Sequence, residues 1–152
     1  MPQNVDPIRF EKITATEEAS GTSKLRSRNP FITGINRYSP SQGNPLKKDF
    51  YGDFLSRLWA IFGPPNGVGY EGFYYALRDR ETGLIFTAYI ASGGAAYGGF
   101  PKDASDLDSV FDLFEELLQS TKPVDCEIEF ETDYGTYRTG AKNGVPFDEI
   151  VS

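Results

Sequence analysis

Apolar residues recur at helical spacing in two stretches of the chain and alternate with period two in three others. From Leu46 to Phe62, Phe50, Phe54, Leu58 and Ile61 step by three and four, and Tyr51, Leu55, Trp59 and Phe62 widen the stripe. The pattern predicts a helix buried on more than one side. Gly63-Pro64-Pro65 ends it, because glycine suits the position after a helix and prolines cannot continue its hydrogen-bond ladder. A second amphipathic helix is predicted over Ser105–Ser120 from Leu107, Val110, Phe111, Phe114, Leu117 and Leu118. Ser105 and Asp108 are placed to cap its start, and Lys122-Pro123 closes it.

Period-two alternation marks the strands. Phe73, Tyr75 and Leu77 share one side of a run, as do Leu84, Phe86, Ala88 and Ile90 of the next, with a hairpin-length connection ending in Gly83 between them. The other side keeps Tyr74, Ile85 and Tyr89, which is apolar for a solvent face. Further on, Cys126, Ile128 and Phe130 alternate with Glu127, Glu129 and Glu131, giving one core face and one acidic face. Asp133-Tyr134-Gly135 turns the chain, Thr136–Thr139 returns, and Asn143-Gly144 marks another tight turn. The expected class is α+β, an antiparallel sheet built from hairpins and packed against two main helices.

Residues 1–45 read as an irregular N-terminal arm with one short strand near Ile8–Ile13, and residues 46–152 as one α+β domain. Composition changes this picture in two ways. The 152 residues include 12 Phe and 9 Tyr, so rings should dominate the core. Charge is divided unevenly: residues 1–50 hold 8 Lys/Arg and 5 Asp/Glu, and residues 51–152 hold 7 and 17. A folded part that acidic repels nucleic acid and anionic lipid and speeds encounter with a basic protein surface. No apolar run reaches the length of a membrane span, and the opening residues lack a positively charged, apolar leader, so a cytoplasmic protein is expected.

Catalytic chemistry is narrowed by composition. With His 0, the usual general base, the usual zinc ligand and every Ser-His or Cys-His pair are missing. Gly67-Val68-Gly69-Tyr70-Glu71-Gly72 fits G-x-G-x-x-G, but it follows a helix and enters a strand, the reverse of a dinucleotide site, and reads as a turn needing positive φ. Ser92–Gly99 lacks the Gly-Lys-Ser/Thr of a phosphate loop and is either a connector or a place where a small molecule approaches the backbone. Asp106-Leu107-Asp108 lies where acids favour a helix start, and no metal site is expected. Cys126, the single cysteine, falls on the core side as a small hydrophobe. No catalytic residue and no cofactor are expected; a carboxylate hydrolase using two of the strand acids is the weakest of the readings.

The run Phe62-Gly63-Pro64-Pro65, then Tyr70–Asp79 and Thr82–Tyr89, resembles immunity proteins of bacterial polymorphic toxins, the contact-dependent, Rhs and type VI secreted systems, over about residues 60–150. The resemblance implies a protein that binds a cognate secreted toxin domain, basic if the toxin is a nuclease, and occludes its active site without catalysis. The residues expected to make that interface are Glu127, Glu129, Glu131 and Asp133, with Asp112, Glu115 and Glu116 on the helix and Tyr97, Tyr134 and Tyr137 as aromatic anchors. An alternative is a small-molecule sensor using the Gly-rich segment Ser92–Gly99. A homodimer through the aromatic side of the first hairpin stays open.

Overall fold

The computed structural model describes residues 7–13, 33–38, 50–69, 72–91, 94–99, 104–133 and 135–151. After a 3-10 turn at Pro7–Arg9 come β1 (Phe10–Lys12), β2 (Thr33–Tyr38), α1 (Phe50–Phe62), β3 (Gly67–Gly69), β4 (Gly72–Asp79), β5 (Ile85–Ala91) and β6 (Gly94–Gly99). Then follow α2 (Ala104–Ser120), β7 (Cys126–Thr132), β8 (Gly135–Lys142) and β9 (Val145–Val151). The class is α+β, as expected, but there are two antiparallel sheets, one ordered β1-β4-β5-β6-β2 with β3 also on β4, the other β7-β8-β9.

The larger sheet is centred on the aromatic hairpin. β4 and β5 pair with Tyr75 opposite Ala88 and Leu77 opposite Phe86, so their core sets do share one side. Phe73, Tyr75, Leu77, Phe86 and Ala88 are all buried there with Phe54, Leu55 and Leu58 of α1 and Val110, Phe111, Phe114, Leu117 and Leu118 of α2. Phe114 sits among rings at 5.1 Å from Phe10, 5.4 Å from Phe86 and 6.1 Å from Phe62, spacings at which edge and stacked geometries attract. Burial of these side chains is the main force that holds the layer together.

One edge of β4 is shared by two short strands. β1 pairs with Leu77–Asp79 and β3 with Gly72–Tyr74. Between them the carboxamide of Asn66 takes the place of a peptide group. Its Nδ2 donates to Ile13 O at 2.7 Å, its Oδ1 accepts from Ala76 N at 2.8 Å, and its own N–H donates to Tyr74 O at 3.0 Å. The strand expected near Ile8–Ile13 is present, with Phe10 and Ile13 buried and Ile8 66% exposed in the preceding turn.

Three expectations change. Thr33–Tyr38, inside the stretch read as irregular, is a strand paired with β6; residues 14–32 and 39–49 lie outside the described residues. Gly94–Gly99 is a strand bonded on both sides, neither a loop nor a connector, because small residues leave the backbone free to pair without any side-chain pattern to announce it. Gly67, Gly69 and Gly72 keep negative or extended φ; the left-handed glycine of this region is Gly63 at φ 81°, just after α1. In addition, α2 starts at Ala104, which puts Ser105 within the helix instead of ahead of it.

α1 joins the two sheets. Its N-terminus rests on β8 and β9, and the carboxylate of Asp148 in β9 accepts from Tyr51 N at 2.9 Å and Gly52 N at 2.7 Å. These are helix-end N–H groups with no partner inside the helix, and an anion there also meets the positive end of the helix dipole. Thr139, fully buried, donates its hydroxyl to the same carboxylate at 2.6 Å. Further along α1, Arg57 pairs with Asp53 at 2.9 Å and donates to the carbonyls of Leu118, Gln119 and Thr121, closing the C-terminus of α2. Asp148→Ala strips α1 of its cap and leaves the Thr139 hydroxyl only the longer, 3.3 Å bond to Phe147 O, and is expected to cost about 2 kcal/mol in urea unfolding.

Candidate functional site

The outer side of the β7-β8-β9 sheet is the surface on which the sequence-predicted acids converge. The two-residue loop between Thr132 and Gly135 sets the register, with Glu127 opposite Gly140, Glu129 opposite Arg138 and Glu131 opposite Thr136. Across β8, Arg138 is opposite Glu149. Side-chain parity then places these residues on one face and Cys126, Ile128 and Phe130 on the other, where Phe130 is 5% exposed.

Arg138 organises the face. Its Nε and Nη2 donate to Glu129 Oε1 at 3.1 and 2.9 Å, and its Nη1 donates to Glu149 Oε1 at 3.1 Å. Glu127 lies 4.0 Å from the same guanidinium and 3.7 Å from Lys142 Nζ, which also sits 5.3 Å from the centre of the Phe147 ring. The hydrogen bond to Glu129, with the charges of Glu129, Glu127 and Glu149, raises the Arg138 pKa above an already high value, so the guanidinium stays charged at any ordinary pH. Thr136 Oγ1 donates to Glu131 Oε1 at 2.9 Å. The face read from sequence as wholly acidic is thus a lattice of four carboxylates and two cations. Each carboxylate remains largely in water, where ion pairs hold geometry more than they stabilise.

The other predicted contacts divide among several places. Asp133 is exposed in the turn at the end of this sheet, and Tyr134 lies outside the described residues. Tyr137 is on the inner side: it pairs with Phe130, stacks on that ring at 5.1 Å and meets Tyr51 of α1 at 5.5 Å. It therefore packs the sheet against α1 and does not belong to the acidic face. Tyr97 holds the β6 register position opposite Ala88, and its side chain lies outside the described residues. Asp112 is exposed on α2, whereas Glu115 and Glu116 are half-buried, and α2 belongs to the layer over the larger sheet. The helix and strand acids thus sit on separate elements.

Sequence reading missed Arg138, Lys142 and Glu149. Their signal was present, since Thr136, Arg138 and Lys142 fall on one parity of the returning strand, but only the register of the loop shows which acids they meet. The buried Asp79 is engaged by Arg9, Thr82 and the Glu81 N–H. Among the described residues no group of three or more His, Cys, Asp or Glu is placed to hold a metal ion.

Cys126 is half-buried on the inner side, and burial first, with the nearby charge of Asp125, pushes its thiol up to about 11. At pH 8 roughly one molecule in a thousand then carries the thiolate, against about one in four for a free cysteine. Alkylation by iodoacetamide at that pH is expected to run at least about a hundredfold slower than for free cysteine, quickening about tenfold per pH unit up to pH ~10. A rate close to that of the free thiol would contradict the burial.

No described helix is long and apolar enough to cross a membrane. In comparisons with protein families, with curated proteins and with solved structures, nothing matches this chain.

Proposed function

We propose that this chain is an immunity protein that acts in the cytoplasm, binding the catalytic domain of a cognate secreted toxin and blocking its active site without chemistry of its own. The observation that supports it best is the outer face of the β7-β8-β9 sheet, where Glu127, Glu129, Glu131 and Glu149 stand exposed on paired strands, the first two and Glu149 around Arg138 and Glu131 on Thr136. Carboxylates held in place lose little side-chain freedom when they meet Lys or Arg of a partner, and their excess negative charge speeds the encounter. A basic toxin such as a nuclease suits that face, because the carboxylates would take positions meant for substrate phosphates. The choice of an immunity role within the wider class of acidic binding proteins rests on the resemblance of the aromatic hairpin region.

The test begins with the neighbouring reading frame. If it encodes a secreted toxin, the toxin domain should arrest growth when expressed alone and be tolerated when this chain is co-expressed. A metabolic gene in that place, or arrest unrelieved by this chain, would sink the immunity reading. For the surface, Glu129→Lys combined with Glu131→Lys should weaken calorimetric affinity for the toxin domain by about tenfold or more while leaving the melting temperature within a few degrees, both positions being exposed. Affinity unchanged within about threefold would remove this face from the interface.

A further inference from the structure

We draw no further inference here: the strongest candidate, the exposed apolar residues Val145 and Ile150 on opposite faces of the edge strand β9 of the three-stranded sheet, carries nothing because nothing among the described residues shows what covers either.

Discussion

Gly140→Ala is expected to cost the protein about 3 kcal/mol or more, a large part of the about 5–15 kcal/mol that stabilises a typical domain. A Cβ at this position would overlap the carbonyl oxygen of Cys126, lie 2.7 Å from its carbonyl carbon and 2.9 Å from Glu127 Cα. All three are backbone atoms of the neighbouring strand, so no side-chain rotation relieves the contact and β7 must separate from β8. The damage would spread, because Gly52 of α1 is seated against the carbonyls of Gly140 and Phe147 and Asp148 caps the helix one residue further on. In urea unfolding the midpoint should fall by about 1–3 M. Gly69→Ala is the control, since a Cβ there meets nothing within 4 Å. Equal midpoints for the two variants would show that the strands do not approach as closely as described.

The second large effect is expected at Asp79, whose side chain is wholly buried. Arg9 donates to it twice, at 2.8 and 3.0 Å, Thr82 donates at 2.7 Å and Glu81 N–H at 3.2 Å. Burial alone would push its pKa up, but the hydrogen bonds from Arg9, Thr82 and Glu81 and the charge of Arg9 outweigh it and leave the carboxyl below its ordinary value. Asp79→Asn keeps the shape and removes the charge, leaving the largely buried guanidinium only the solvent-exposed carboxylate of Glu81, 3.0 Å away; about 3 kcal/mol should be lost at pH 7. A carboxyl whose pKa is depressed by folding stabilises the native state above the unfolded value of about 3.9, and that contribution fades as pH falls through the lower native value. The gap between wild type and Asp79→Asn should therefore narrow in thermal unfolding between pH 7 and pH ~2.5. A gap that stays constant would mean that Asp79 is not ionised in the native protein.

How far the sequence disclosed this fold depended on side-chain contrast. α1, α2, the β4–β5 hairpin and β7 were legible because apolar and polar residues repeat there at the period of the element. β2, β3 and β6 are rich in Gly or mixed polar residues and are strands because their neighbours offer backbone partners, a non-local cause that no local period records. At the candidate site, alternation was enough to find Glu127, Glu129 and Glu131. Arg138 and Lys142 required the register, and register also decides Tyr137. Proximity to the turn suggested a surface anchor, but a loop of two residues sets Tyr137 opposite Phe130 and turns it inward.

The Asn66 carboxamide that joins β1 to β3 along β4 also bears on self-association. β4 and β5 carry Phe73-Tyr74-Tyr75-Ala76-Leu77 and Ile85-Phe86-Thr87-Ala88-Tyr89-Ile90, uncharged, β-prone and free of proline, the composition that stacks into cross-β fibrils when its backbone is left open. β5 is covered by β6 along its length, and the opposite edge of β4 is covered from both ends, with Asn66 filling the interval at Ala76. Two three-residue strands, the Ile13 N–H and one amide side chain thus deny other chains a template on this edge, a task that many proteins give to edge lysines or prolines.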